Sequence, residues 1–537
     1  MEEMFWGESN AALIDRTIPE NWENESAIIL YEKLYFNFDK KGNTTDLTEA
    51  IHKIILLNDD VAVEKFSEFS FNDHFMYRGE NWLYGKFRII KPNGNIEVLD
   101  EKDIIEKNEK EYFSIPNLEK GDVVDYYIFK WISYDYSFKY FRPFEVIIPD
   151  EYHKKHSCIE INVDPKYYLN FGEFNSSNGI KKHSNKKNTT YIYETKDVEK
   201  LKKERWSYLK NENHTVKFQV AFSPDVDDMK ESRYFIKHKT NKPESDISRE
   251  ETDYTINQIF DRKKESKLSS AFVINVNGIN YDGLKEIVNK KDKLHYFYNK
   301  YRRVNVKSLE FSVQRSVLDN NQGQIFSGLE SDYFEYEVRK EIQVTQSAEF
   351  NFIQNFMDFL EENNYDFELL VGKQKYDGTM EDLVLMNNLK YLLKVNIENE
   401  VFIIDYPRIN NSINELPASL TNTSLYAYKT VPESKKVNLV PNGTYQNLVA
   451  NPNENSSKTY CSINTKNMSD IKVGIKSFSK GIFKRNDQNK LMSFLEIMED
   501  EKGYFGSNYD KTGLLIISKK KKNSVEERMI THRAKID

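Results

Sequence analysis

Side chains that do nucleophilic or metal chemistry are sparse in this chain of 537 residues, which holds two cysteines and nine histidines. Cys158 and Cys461 are far apart, and neither lies in a Cys-x-x-Cys pair. That spacing rules out a disulfide-rich scaffold and a four-cysteine zinc site, and both residues are expected as isolated core thiols. His153, His156 and His183 have no carboxylate or cysteine at ligand spacing, so they read as solvated surface residues. No metal and no other cofactor is expected. The densest chemical feature is aromatic, the run Tyr126 to Phe144 within a chain of 34 Tyr and 34 Phe. Rings stack on sugar faces as they do on each other, which makes this run a candidate glycan platform. The simpler expectation is that alternate rings fill a β core, because strands select aromatics. The one basic run, Lys519 to Lys522, reads as a solvated turn or strand edge.

The elements that must position these groups change along the chain. Residues 1–225 read as strands: Ala27 to Phe38, His52 to Leu57, Phe66 to Phe71, Trp82 to Ile90, Val123 to Trp131, Tyr134 to Phe144 and Glu145 to Ile148. Lys91-Pro92-Asn93-Gly94-Asn95 is a hairpin signal, and residues 173–200 read as a polar hairpin or loop. The spacing predicts an antiparallel β-sandwich. Beyond residue 225 the periods become helical over Asp225 to His238, Asp253 to Lys263 and Asp282 to Arg302, with Lys239 to Glu250 a loop. A further helix starts at Ser347, a good N-cap, and stops at Asn363-Asn364. Phe350, Ile353, Phe356 and Leu360 form its apolar stripe. Strands Phe367 to Val371, Leu389 to Ile397 and Val401 to Asp405 follow, which is an α+β order. From residue 416 the chain returns to short strands and Asn-rich loops, with Leu491 to Met498 and Leu514 to Ser518 read as a closing hairpin. The expected fold class is thus multidomain β and α+β. It comprises an N-terminal β-sandwich over 1–225, an α+β domain over 226–415 and a small C-terminal β-sandwich over 416–537. No internal repeat is visible.

Charge and hydropathy narrow the partners. Lys and Arg total 77 against 85 Asp and Glu, a net charge of −8, which argues against a general nucleic-acid binder. No stretch of 18 apolar residues exists, so no membrane-spanning helix is expected. Met1-Glu2-Glu3-Met4-Phe5-Trp6 has neither a basic region nor an apolar one, so no signal peptide is visible. A cytoplasmic protein and a chain without its leader fit this start equally.

Motifs spread along the chain resemble a family of secreted proteins of Gram-negative bacteria. In that family an N-terminal β-domain of unassigned function precedes a transglutaminase-like domain and a C-terminal β-domain. The motifs are Ile18-Pro19-Glu20-Asn21-Trp22-Glu23-Asn24-Glu25-Ser26-Ala27, Ile89-Ile90-Lys91-Pro92-Asn93-Gly94, Phe113 to Tyr127 with Gly121-Asp122, Ser347-Ala348-Glu349-Phe350-Asn351, and Ile403-Ile404-Asp405. The resemblance implies an exported protein, periplasmic or at the cell surface, whose leader is absent from this sequence. Its central fold would be papain-like.

Transglutaminase-like enzymes use a Cys–His–Asp triad. The Cys sits at a helix N-terminus that favours thiolate, and the His serves as general base. Carried onto this chain, the Cys position falls at Ser347, the His position at Asn387 or Asn388, and only Asp405 is retained. Ser without a basic partner has no route to activation, and Asn has no proton-transfer equilibrium near neutrality. The expectation is therefore a non-enzyme, a pseudo-enzyme of the transglutaminase-like class. It would bind or scaffold at the cell envelope, with a protein, peptide or cell-wall-like ligand as partner. The alternatives are an active hydrolase or acyl transferase with an unrecognised nucleophile such as Ser347, and a carbohydrate-binding protein using the aromatic strands. A solvent-facing row of rings would favour the last.

Overall fold

The computed structural model describes most of residues 1–259 and 349–480. Segments 8–13, 71–82, 100–103, 136–140, 223–234, 237–247, 264–283, 302–348, 408–412, 450–454, 484–531 and some shorter stretches lie outside the described residues. The protein is mostly β, with several sheets and few helices. It divides into two compact units. The first comprises Met1–Ile259 together with Tyr376–Asn388; the second holds the described residues from Phe260 to Lys375 and from Leu389 onward.

The first unit begins with a short helix, α1 (Glu2–Trp6), and then strands β1 (Ala27–Lys41) and β2 (Thr44–Leu57). Helix α2 (Asp60–Phe66) follows, capped by the Asp59 carboxylate, which accepts the Ala62 N–H at 2.9 Å. Next come β3 (Glu68–Ser70), β4 (Leu83–Ile90), β5 (Ile96–Val98), β6 (Ile104–Lys107), β7 (Lys110–Ser114), β8 (Val123–Asp135), β9 (Phe144–Ile147), β10 (Lys154–Val163), β11 (Tyr167–Phe174), β12 (Ile180–Ser184) and β13 (Thr189–Val198). A short helix, α3 (Leu209–Glu212), precedes β14 (Thr215–Phe222), and helix α4 (Arg249–Phe260) ends this stretch. An eight-stranded sheet has the order β12-β13-β10-β1-β2-β8-β4-β5, and a three-stranded sheet the order β11-β14-β9. One core joins them, with Phe36, Phe38 and Ile161 from the large sheet and Phe144, Phe171 and Phe218 from the small one. The large sheet is not wholly antiparallel: β1 pairs with β10 in parallel.

A bulge in β1 decides which residues reach that core. Leu30 is an extra residue between the pairs Ile29↔Ile55 and Tyr31↔Ile54. Before it Ala27 and Ile29 point inward, beside α2 and the β3-β7-β6 sheet. After it the inward set becomes Leu34, Phe36 and Phe38. One added residue shifts the alternation by one position and places Leu30 and Tyr31 on the outward side. Beside the bulge Glu32 is buried with Lys154 and with Lys53 at 3.0 Å, and Lys53 reaches Asp150 at 2.7 Å. The N-terminal segment covers part of the outward face: Trp22, with Ile14 and Ile18, lies over Ile28, Tyr31, Ile54 and Cys158.

The second unit contains helical residues 290–299, 349–350 and 352–362. Its strands are β15 (Arg262–Lys263), β16 (Asp366–Lys373), β17 (Leu389–Ile397), β18 (Glu400–Ile404), β19 (Leu425–Pro432) and β20 (Lys436–Tyr445), in the sheet order β15-β20-β19-β16-β17-β18. A separate sheet joins β21 (Ser456–Asn467), β22 (Asp470–Lys480) and β23 (His532–Ala534). The expected stripe Phe350, Ile353, Phe356 and Leu360 is buried, and so are Phe352, Met357 and Phe359. Phe297 stacks on Phe359 at 3.9 Å and 2°, and meets Phe356 edge-on. The helix stops as expected at Asn363-Asn364, where Asn364 takes φ 53°.

Several readings need correction. A boundary at residue 415 would cut the six-stranded sheet, since Leu369↔Tyr428 and Leu370↔Ala427 are paired across it. The helix expected from Asp253 starts at Arg249, because Ser248 and Glu251 form a reciprocal capping box inside the segment read as loop. Arg262 and Lys263 then form a strand. Phe66 ends a helix rather than starting a strand. His153 and Cys158 are buried, whereas Cys461 is exposed on β21, whose described side chains lie largely in solvent. The helix expected over Asp225 to His238 and the hairpin expected over 491–518 fall largely or wholly outside the described residues.

Candidate functional site

The sequence placed a degenerate triad at Ser347, Asn388 and Asp405. Ser347 lies outside the described residues. Asp405 belongs to the second unit, is buried, and accepts the Tyr406 backbone N–H at 2.8 Å. Asn387 and Asn388 close a 3₁₀ turn, Met386–Asn388, in the first unit. Asn388 is buried, donates to Glu145 at 2.8 Å and accepts from the Lys217 ammonium at 3.4 Å. Lys390, one strand residue further on, donates to Glu349 at 3.2 Å within the second unit.

The group around Asn388 was not visible from sequence. Lys217 and Gln219 alternate along β14 with Val216, Phe218 and Val220, which line the core, so their face is the one a strand ordinarily turns to solvent. Here the segment 376–388 covers it, and Lys217 is 1% exposed. Its ammonium donates to the Asp377 carbonyl at 3.3 Å. Burial pushes the Lys217 amine below its ordinary pKa, with Glu145 and Asp377 partly opposing. Burial alone would raise Glu145; Lys217, Lys210 and Asn388 outweigh it and hold the carboxyl below its ordinary range. Gly172 lets the segment approach, since a Cβ there would lie 2.3 Å from Val384. Among the described residues, no group of three or more His, Cys, Asp or Glu is placed to hold a metal ion.

The aromatic run resolves into two sets. Tyr126, Tyr134, Phe141 and Phe144 point inward and are buried. Tyr136, Phe138 and Tyr140 lie outside the described residues. Tyr127, Phe129 and Trp131 alternate to the outward face of β8. Tyr84, registered against Phe129 from β4, is 50% exposed. Its ring lies parallel to Phe129 (5.5 Å, 18°) and to Trp131 (5.5 Å, 9°). Phe129 is in turn stacked with Tyr127 at 6.4 Å and 22°. The result is an ordered row of rings crossing two strands.

Polar side chains continue this face. By register Trp131 stands opposite Thr48, Thr48 opposite Asn37, Asn37 opposite Asn162 and Asn162 opposite Thr190. Thr48, Asn37 and Thr190 are half-buried, and Thr190 donates to Asn162 at 2.5 Å. Asp125, fully buried, anchors the other end of the row. It accepts from His52 (2.8 Å), from Arg88 (2.7 Å) and from the Trp6 indole (3.1 Å). Such a face can stack an apolar ring surface and offer amides and hydroxyls beside it. The sequence singled out Phe129 and Trp131 within the run but missed Tyr84, which only the strand pairing brings to them.

No family model and no curated protein matches the chain. Among solved structures it is similar to a putative protease of Parabacteroides distasonis ATCC 8503. The identity is 10%, the match covers 78% of this chain and 92% of that one, and the TM-score is 0.40. It is also similar to aminopeptidase A of Legionella pneumophila, solved in complex with aspartic acid. There the identity is 9%, covering 37% of this chain and 21% of that one, with a TM-score of 0.21. The expectation of a non-enzyme is corrected here: both of these structures carry hydrolase names. The ground for that expectation has also weakened physically. It held that the triad positions lack a basic partner, yet folding brings the buried Lys217 ammonium to Asn388. No helix among the described residues is long and apolar enough to cross a membrane.

Proposed function

We propose that the chain is an exported binding protein that takes a carbohydrate chain on the outward face of its eight-stranded sheet. The observation that carries this reading is the row Tyr84, Phe129 and Trp131: three near-parallel rings, one of them half-exposed, on a single sheet face. A pyranose presents apolar C–H faces and equatorial hydroxyls. The rings suit the first, and Thr48 and Asn37 alongside suit the second. A cell-wall glycan is the ligand class that accords with an envelope location, which itself is read from the family resemblance. The second unit accords with a transglutaminase-like frame through its order of helix 352–362 followed by β16, β17 and β18.

The test is a titration of the full chain with cello-, chito- and muropeptide-free cell-wall oligosaccharides, read by tryptophan fluorescence and calorimetry. Saturable binding is expected with at least one series. Tyr84→Ala and Trp131→Ala should each weaken it about tenfold, which corresponds to ~1.4 kcal/mol. Absence of binding across all series, or full affinity in both variants, would discard the reading.

A further inference from the structure

Where one end of each of the two packed sheets of the first unit meets the other, the chain leaves a cleft of about 470 Å³. Its walls are the last residues of β13 with Glu199 and Lys200, and positions that follow β9, follow β11 and lead into β14. That volume suits a small molecule. His214 lines the cleft, with its side chain 12% exposed. Next to it lies the buried Tyr193, and beyond that Glu173. The Glu173 carboxylate accepts the Tyr193 hydroxyl at 2.6 Å and the Asn178 and Gly179 backbone N–H groups at 2.9 and 2.8 Å. His214 Nε2 is hydrogen-bonded to the same Tyr193 oxygen, which the Asn178 amide also meets at 3.5 Å, and stands 3.6 Å from Glu173.

This chain of contacts fixes the imidazole. A phenol has one proton, and here it must stand between Tyr193 and Glu173, since two bare oxygens at 2.6 Å would repel each other. His214 Nε2 is then the donor to Tyr193, and Nδ1 keeps its lone pair. Burial pushes the His214 imidazole below its ordinary pKa, with Glu173 partly opposing and Lys154 adding to the shift. Burial alone would raise Glu173; Tyr193, the two backbone N–H groups and Ser176 outweigh it and hold the carboxyl below its ordinary range. Nδ1 has no partner among the described residues.

The side-chain donors around the cleft are spent elsewhere. Asn175 gives its N–H groups to the Asn211 and Asn213 carbonyls at 2.7 and 2.9 Å, and Asn213 donates to the Leu209 carbonyl at 2.9 Å. The Lys200 ammonium donates to both carboxylate oxygens of Glu25, at 2.6 and 2.7 Å. Lys196 alternates to the face of β13 that carries Glu194, opposite to Tyr193. What remains for a ligand is a set of acceptors: His214 Nδ1, the two amide oxygens and the Asp197 carboxylate, which is exposed and has no partner among the described residues. We infer that this cleft binds a primary alkylammonium ion, whose N–H groups are taken by His214 Nδ1 and Asp197, with Tyr193 the positioning residue that fixes the His214 tautomer. The site does not rest on the carbohydrate reading above.

Calorimetry of the full chain with the diamine cadaverine should show saturable binding. Pentanediol, which lacks the charge, and tetramethylammonium, which lacks N–H donors, should each bind about tenfold more weakly or not at all. His214→Phe and Asp197→Asn should each weaken cadaverine about tenfold. Asn tolerates the left-handed backbone that Asp197 adopts (φ 52°), so the second variant keeps the local fold. Nitrogen NMR should show wild-type His214 with its proton on Nε2, and Tyr193→Phe should convert it to a mixture of tautomers. In the wild type the Nδ1 signal should move upfield as cadaverine saturates the cleft, which decides the matter where a variant folds poorly. No saturable cadaverine binding, equal affinity for tetramethylammonium, wild-type affinity in either His214→Phe or Asp197→Asn, or an unmoved Nδ1 signal would overturn the site. An unchanged tautomer in Tyr193→Phe would overturn the positioning role.

Discussion

Glu32 carries the clearest electrostatic commitment of any single residue in the first unit. Burial alone would raise its carboxyl, but Lys53 and Lys154 hold it below the ordinary range, and Asp150 is lowered in the same way. Lys53 is raised by Glu32 and Asp150 against its own burial. A carboxylate lowered by folding contributes stability above its unfolded pKa and loses it as pH falls through the folded value. A raised lysine contributes below its unfolded pKa and loses it as pH climbs past. The group should therefore stabilise fully between about pH 5 and 10. Glu32→Gln should cost roughly 3–5 kcal/mol in urea unfolding at pH 7, the scale for breaking a buried pair. The gap between wild type and variant should close on acidification below about pH 4. A gap that stays constant down to pH 2 would show that Glu32 is not held as an anion. None of this was legible beforehand: Glu32 sits in an ordinary alternating strand, and only the pairing of β1 with β2 and β10 surrounds it with two lysines.

At the level of elements, the helix 352–362 was legible because its stripe, its stop and its length agree with one another. Phe356→Ala should lower stability by about 3–5 kcal/mol, since a fully buried ring is lost from a cluster containing Phe297, Phe352 and Phe359. An unchanged melting temperature would contradict that packing. Strands β1, β2, β4 and β8 of the eight-stranded sheet were legible for the same kind of reason, β4 and its turn at Asn93-Gly94 most directly, whereas β10 was not singled out. What escaped detection depended on partners remote in sequence. The bulge at Leu30 leaves no local mark, and the parallel pairing of β1 with β10 joins residues far apart. The box Ser248-x-x-Glu251 was readable, but the Lys, Pro and Ser before it drew the boundary too late. As for the candidate site, Tyr127, Phe129 and Trp131 could be read from β8 alone, whereas Tyr84 arrives from β4.

For the molecule as a whole, the first unit is not a continuous stretch of sequence. Its β11-β14-β9 sheet is finished only by Tyr376–Asn388, which buries Met380, Leu383, Val384, Leu385 and Met386 and encloses Lys217. A fragment ending at Ile259 should consequently melt below the corresponding transition of the full chain. A synthetic peptide covering 374–390, added in excess, should restore several degrees by mass action. Indifference of the fragment to the peptide would mean that the segment adds nothing to the unit. The same discontinuity bears on how the protein is made. Synthesis runs from the N-terminus at ~5–20 residues per second, so Asn388 emerges about 130 residues after Ile259, on the order of ten seconds later. For that interval Gly172, Lys217 and the apolar surface beside them stand uncovered on a nascent chain. The newborn sheet must then either wait as an open half-structure or be shielded by a chaperone until its last piece arrives.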